Sequence, residues 1–330
     1  MTKVTILGGS GFIGTALCRQ LAQASIPFHI IDLKRSKSFP SLTTVGDIRD
    51  VEAMREHMDG NVVVNLAAVH RDNVSESKAY YDTNVEGSRV VAQVSAEKGV
   101  KRLIFTSTVA VYGFAPIGTD EFGEIKPFNH YGKSKFEAEK IYQHWHDQSP
   151  ESRQLIIVRP TVVFGEGNRG NVYNLLQQIA SRQFIMVGEG RNKKSMAYVE
   201  NVAAFIMDSI LSDQRAGIFN YVDTPDLGMD ELVLLARKRL FGKNSVGLRL
   251  PYWLGLTIGY IADALNRLPL VSLPISSIRV RKFCANTAFS ATKVRRDGFF
   301  APFSLEEALE RTLAAEFLDP NPDREIFYSE

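Results

Sequence analysis

"KVTILGGSGFIG", residues 3 to 14, runs a short apolar segment straight into glycines spaced G-x-x-G-x-x-G at Gly8, Gly11 and Gly14. Apolar residues then recur at helical spacing (Ile13, Leu17, Leu21), and Pro27 marks the exit. A strand, a tight glycine turn and a helix in that order form a phosphate cradle. The first glycine permits the turn, the second lets backbone approach a pyrophosphate, and the third lets the helix pack on the strand. "FHIID" reads as the next strand and ends on Asp32, placed to accept hydrogen bonds from the ribose hydroxyls of an adenosine. This favours NAD. Lys34 and Arg35 follow closely and are the residues that would meet a 2′-phosphate instead.

The same alternation continues outward. "NVVVNLAA" (61–68), "RLIFTS" (102–107) and "QLIIVRP" (154–160) are near-continuous apolar runs, as in parallel strands covered on both faces. Helical patterns over 77–98 and 131–147 separate them. The expected fold is a doubly wound α/β sheet of Rossmann type over 1–165. Beyond residue 165 the rhythm loosens into the Gly/Asn-rich "GEGNRGNV". Residues 166–330 are then expected to form mainly a smaller, mostly helical substrate cap, with 197–199 and 217–222 returning to the main sheet.

Composition narrows the function classes. With 39 basic and 37 acidic residues the formal net charge is +2, which gives no basis for nucleic-acid binding by bulk charge. Cys18 and Cys284 stand outside any CxxC or His-rich context, so neither a metal site nor a disulfide framework is expected. The N-terminus shows no signal-peptide pattern, and no stretch of about 20 residues is continuously apolar. A cytoplasmic location is the expectation.

Chemistry is concentrated in "TSTVAVYG" (106–113) and "YGKSK" (131–135). Tyr131 and Lys135 are four apart and share a helix face. An ammonium beside a phenol favours phenolate, which makes Tyr131 a usable base near neutral pH. Thr108, at the end of a strand, is placed to hydrogen-bond the same substrate oxygen. Asp47 in "GDIRD" is either an adenine contact or an N-cap for the helix starting at Val51.

With these residues in view, the chain resembles the extended short-chain dehydrogenase/reductases, in particular the NAD-dependent sugar-nucleotide epimerases and dehydratases. "GGSGFIG", "NLAA", "TNVEG", "TSTVAVYG", "YGKSK", "RPTVVFG" and "SATKV…GF…PFSLEEAL" match in order over essentially the whole chain. The resemblance implies that Tyr131, Lys135 and Thr108 are catalytic and that NAD stays bound. It extends the cofactor contacts to Phe12, Ile13, Asp47, Ile48, Leu66, Ala67, Ala68, Asn84 and Pro160. Dehydratases of this family carry an Asp-Glu pair directly after the Thr. Val109 and Ala110 stand there and cannot move a proton, which leaves C4 epimerisation or simple oxidoreduction.

A narrower likeness, carried by "HRDNVSESKAYYDTNVEG", "PFNHYGKSK", "KSMAYVENV" and "VRKFCANTAFSATKV", is to bacterial 4-epimerases of N-acetylhexosaminyl-diphospho-undecaprenol. Lys194, Ser195 and Met196 replace the usual Arg-Asp-aromatic of UDP-hexose epimerases, and "VRKFCANT" replaces an Arg-Pro-Gly-Asp-like stretch. The expected substrate contacts are Thr108, His70, Arg169, Asn174, Lys194, Arg281 and Thr287, with Arg71 beside His70. Thr287 would leave room for an N-acetyl group. UDP-GlcNAc or UDP-glucose 4-epimerisation, 4-keto-sugar reduction with NAD(P)H and a non-catalytic dinucleotide sensor are the competing readings.

Two surface expectations complete the picture. By the resemblance, a homodimer pairs through 84–98 and 131–147. The segment 251–274 is a candidate for peripheral contact with the inner face of the membrane through Trp253, Leu254, Ile258, Tyr260, Ile261 and Leu265, with Arg279, Arg281 and Lys282 meeting anionic lipid. The alternative is that this helix packs inside the cap.

Overall fold

The computed structural model describes residues 2–70, 77–266 and 276–328. Its frame is a seven-stranded, all-parallel sheet. In chain order the strands are β1 (Val4–Leu7), β2 (Phe28–Asp32), β3 (Thr43–Val45), β4 (Val62–Asn65), β5 (Arg102–Thr106), β6 (Gln154–Pro160) and β7 (Gly217–Tyr221). Across the sheet they lie 7-6-5-4-1-2-3. The order reverses between β1 and β4, and a doubly wound sheet opens its ligand crevice beyond the strand ends at that point.

The strands read as apolar runs because each face is covered. Ile6, Ile30, Val64, Ile104 and Ile156 point into one core, and Leu7, Ile31, Val63, Leu103, Phe105 and Ile157 into the other. The first core runs on into the C-terminal half through Phe205, Tyr221, Phe299 and Leu309. Among the described residues, this one core spans both halves of the chain.

Three details differ from the sequence expectation. Thr43–Val45 adds an edge strand beside β2 that its short "TTV" did not announce. Residues 217–221 do return to the main sheet, but Met196–Tyr198 pairs with Val162–Phe164 in a separate two-stranded ribbon. The helix expected over 77–98 is Lys78–Tyr81, a π-helical turn Asp82–Glu86 and Gly87–Glu97 in succession. The wider turn carries the buried Asn84, and such turns are enriched at functional sites.

Candidate active site

The crevice begins at the glycine turn. Gly8 has φ +78°, and a Cβ there would lie 2.6 Å from the Ala67 backbone nitrogen beyond β4. The turn and the β4 exit, Leu66–Ala68, are therefore packed backbone to backbone. The helix Phe12–Gln23 starts at Gly11 with no side-chain cap and no acidic residue in its first turn. Its first N–H groups and its positive dipole end are thus offered to an anion rather than to the protein's own carboxylates. Asp32 closes the far side. Its carboxylate accepts from the Ser10 N–H at 3.0 Å and the Lys34 N–H at 3.1 Å, which ties the β2 exit to the glycine turn. A cradle open to pyrophosphate, with a carboxylate one strand away, fits a dinucleotide.

Asp47 is not the cap of the next helix. Asp50 takes that role, accepting from Glu52 and Ala53, while Asp47 holds the Arg49 guanidinium at 2.6 Å. The Arg49 hydrogen bond keeps the Asp47 carboxyl below its ordinary range. Ile48 is buried and meets Gly87. Asn84 is turned into the protein. It accepts from Val69 N–H and donates to the Val69 carbonyl and to Ser134 Oγ, at 2.9, 3.0 and 2.9 Å. It therefore clamps the loop after β4 onto the Tyr131 helix.

Tyr131 and Lys135 lie on the helix His130–Asp147, capped by Asn129 through the Gly132 N–H. Gly132 is the point of closest approach to the strand side: a Cβ there would lie 2.6 Å from the Ala110 carbonyl oxygen. That contact brings the turn Thr108–Tyr112 against the first turn of the helix that carries Tyr131 and Lys135. Thr108 Oγ accepts from the Ala110 N–H at 3.2 Å. The bond uses the oxygen as acceptor and leaves the O–H to donate to a substrate oxygen. Tyr131 is half-buried, its ring 6.4 Å from that of Tyr80.

Lys135 is more buried than an exposed helix pair would suggest. Its ammonium sits 4.2 Å from the Phe105 ring centre. Burial pushes its pKa down to about 7, with the Glu139 carboxylate pulling the other way. The charge assumed from sequence is therefore poised near neutrality rather than permanent.

Sequence reasoning missed the support behind it. Glu139, one turn beyond Lys135, forms a fully buried, two-pronged ion pair with Arg159 on β6 (2.8 and 2.5 Å), and Arg159 also donates to Tyr112 Oη at 2.7 Å. The signals were present: Tyr131, Lys135 and Glu139 repeat every four residues on one face, and Arg159 ends an apolar strand where a lone charge would be costly. Next to Arg159, Pro160 closes β6 opposite Tyr221.

The cap residues divide into two groups. Lys194 bridges Thr287, and its ammonium donates to the Lys282 carbonyl at 2.8 Å, near the C-terminal end of the helix Ser277–Cys284 that carries Arg281. These residues lie together. Arg169 is engaged elsewhere, paired with Glu316 at 2.9 Å and stacked on Tyr173. Asn174 is on the exposed side of the neighbouring helix, and His70 is exposed at the β4 exit. Arg71 and residues 267–274 of the apolar segment lie outside the described residues. Among the described residues no cluster of metal-ligating side chains occurs, and no helix is long and apolar enough to cross a membrane.

Fold and site together define a dinucleotide-dependent enzyme with a Tyr–Lys pair at its strand-end crevice. Residues 4–220 match the model of the NAD dependent epimerase/dehydratase family, and the chain belongs to that family, with NAD as its cofactor. It is 47% identical over 99% of both chains to the N-acetyl-alpha-D-glucosaminyl-diphospho-ditrans,octacis-undecaprenol 4-epimerase of Escherichia coli O157:H7. It is 29% identical to the UDP-glucose 4-epimerase of Yersinia pestis over 78% of both chains. Among solved structures, the UDP-glucose 4-epimerase of Thermotoga maritima with UDP-glucose superposes with a TM-score of 0.74 at 20% identity, covering 96% of this chain and 98% of that one. The Bordetella bronchiseptica enzyme WbmG in complex with NAD and UDP gives the same TM-score at 18% identity, covering 99% and 98%.

Proposed function

We propose that this protein is an NAD-dependent 4-epimerase that interconverts GlcNAc and GalNAc on diphospho-undecaprenol. The observation that carries the reading is the 47% identity, end to end, with the Escherichia coli enzyme of that name. The site chemistry agrees with it. NAD supplies a hydride acceptor that can also return the hydride. Tyr131 takes the proton of the sugar 4-hydroxyl as the C4 hydrogen departs with the electron pair of its C–H bond, that is, as hydride, and a 4-keto sugar forms. Thr108 donates to that oxygen. After the ketone turns in the pocket, hydride re-enters from the opposite face and Tyr131 returns the proton. Val109 and Ala110 offer no group to remove a C5 proton, so the cycle ends where it began in redox terms.

A substrate labelled with deuterium at C4 tests this directly. With no NAD added, both epimers should carry the label at C4. Loss of label, or a need for stoichiometric NAD(P)H, would point to the reductase reading.

The cap serves the carrier end. Lys194 and Arg281 are the cations proposed for the diphosphate, and Thr287 is proposed to leave space at C2. The helix Tyr252–Leu265 is proposed to rest on the anionic inner leaflet. Its buried face is made of Gly255, Gly259 and Ala262, while Trp253, Tyr260 and Ile261 are 67%, 49% and 56% exposed. Among the described residues, small side chains of this helix face inward and Trp253, Tyr260 and Ile261 outward, which supports the membrane reading over packing inside the cap. Arg249, Arg281 and Lys282 flank it with charge of the right sign for such a leaflet. A homodimer is proposed through the helices Gly87–Glu97 and His130–Asp147. Between them lies a groove of about 520 Å³, lined by Ala92, Ala96, Ile141 and Trp145 and by polar and charged residues that include Gln93 and Lys140. Lys140→Glu, at the exposed rim of that groove, should convert a dimer to monomer in sedimentation with the melting temperature retained.

A further inference from the structure

We propose that Tyr260 is a positioning residue that couples membrane contact to recognition of the substrate diphosphate through Arg281. The inference rests on the lipid-carrier reading above and concerns how that carrier is read.

The helices Tyr252–Leu265 and Ser277–Cys284 behave as one hairpin-like body. A Cβ on Gly259 would lie 2.8 Å from the Ser277 backbone, so the two helices touch main chain to main chain. Asp263 accepts from the Ser277 N–H at the start of the second helix, at 3.2 Å. The first helix also seats on the cap, where a Cβ on Gly255 would lie 2.5 Å from a Val187 methyl. The second is anchored nearby through Cys284 Sγ to the Val187 carbonyl and through Asn192 to the Phe283 carbonyl. With so little slack, a change at the outer face of one helix is felt by the side chains of the other.

One side chain joins the outer face to Arg281, the cation proposed for the diphosphate. Tyr260 is half-exposed among the apolar residues of the first helix, and its hydroxyl accepts from the Arg281 guanidinium. The guanidinium carbon lies 5.7 Å from the Tyr260 ring centre, so hydrogen bond and ring act on the same cation. Arg281 is three residues from Cys284, on the helix near whose C-terminal end Lys194 is bound, and Lys194 bridges Thr287. Arginine is a flexible side chain with high rotamer entropy, and a fixed partner removes part of the cost of ordering it on an anion. Tyrosine favours the lipid–water boundary, with its ring in the apolar layer and its hydroxyl at headgroup level. Contact of the helix with a bilayer would hold Tyr260 in that attitude and Arg281 with it. A carrier that arrives from the bilayer thus meets a cation already set for its diphosphate.

The test is a KM-against-kcat comparison of wild type and Tyr260→Phe. The substrates are GlcNAc-diphospho-undecaprenol in vesicles containing phosphatidylglycerol, a short-chain water-soluble GlcNAc-diphospho-prenyl analogue without vesicles, and UDP-GlcNAc. The variant keeps the ring and loses only the acceptor for Arg281. KM for the vesicle substrate should rise about tenfold, the scale of a lost hydrogen bond to a charged group, with kcat within about twofold and an unchanged melting temperature. The rise should be smaller for the soluble analogue, where no bilayer sets Tyr260. Equal KM in wild type and variant, an effect confined to kcat, or an equal rise with both prenyl substrates would overturn the coupling. If wild type converts UDP-GlcNAc and neither prenyl substrate, the carrier reading fails and the coupling falls with it. If it converts the prenyl substrates and Tyr260→Phe has no effect, only the coupling falls. Arg281→Ala, which removes the cation itself, should raise KM for both prenyl substrates whether or not vesicles are present.

Discussion

The helices His130–Asp147 and Tyr252–Leu265 both invert the ordinary pattern of a surface helix, in opposite senses. The first buries polar and charged groups, Ser134, Lys135 and Glu139. The second exposes large apolar ones, Trp253, Tyr260 and Ile261. In the first, the compensation lies inside the chain: Arg159 neutralises Glu139, Asn84 satisfies Ser134, and the Phe105 ring faces Lys135. In the second, the described residues offer no such cover. The first helix is compensated within the chain, whereas the second is the one proposed to meet a bilayer.

The largest expected effect breaks the first helix at its function. Tyr131→Phe removes the proposed proton-transfer group and should lower kcat by about 10²–10⁴-fold with little change in KM or melting temperature, checked by steady-state kinetics and calorimetry. Next is its support. Glu139→Gln leaves Arg159 buried without a counter-charge and should cost about 3–5 kcal/mol in urea unfolding. A cost near zero would mean that the pair is not the compensation it is taken to be.

Lys135→Met sharpens the same point through pH. The Lys135 pKa in the fold, about 7, lies below its ordinary 10.5. Between these values the unfolded chain binds the extra proton, so this group makes stability rise with pH across that window, and its penalty is complete below pH 7. The variant should lose activity, gain stability at pH 7, and show a flatter stability profile between pH 7 and 10.5. The smallest effect on the fold concerns the other helix. Trp253→Asp should leave unfolding nearly unchanged and weaken flotation with anionic vesicles by about tenfold or more. Loss of folding instead would mean that Trp253 serves the core.

What could be read without coordinates follows the same divide. The glycine turn, the apolar strands and the Tyr131–Lys135 spacing are local patterns set by backbone geometry, and they place the fold and the proposed reaction centre. Glu139 shares the four-residue spacing of Tyr131 and Lys135, but its partner Arg159 lies on another element, as Asn84 does from Ser134, so neither pairing is written in one stretch of chain. Asp47 and Asp50 are chemically equivalent as caps, and only the helix start separates them. Met196–Tyr198 has the composition of a sheet strand, but β7 already occupies the place beside β6. For 252–265, hydropathy alone does not say which face is inward. The glycines decide it, because Gly255 and Gly259 are where neighbouring atoms approach.

The central claim is that the reacting sugar sits on a lipid diphosphate. Its most direct test is a single incubation of purified protein, without added NAD, with equimolar GlcNAc-diphospho-undecaprenol and UDP-GlcNAc, followed by separation of the C4 epimers of each. The account predicts GalNAc on the lipid carrier, with UDP-GlcNAc left essentially unchanged. GalNAc appearing on UDP while the lipid-linked sugar stays unconverted would contradict it.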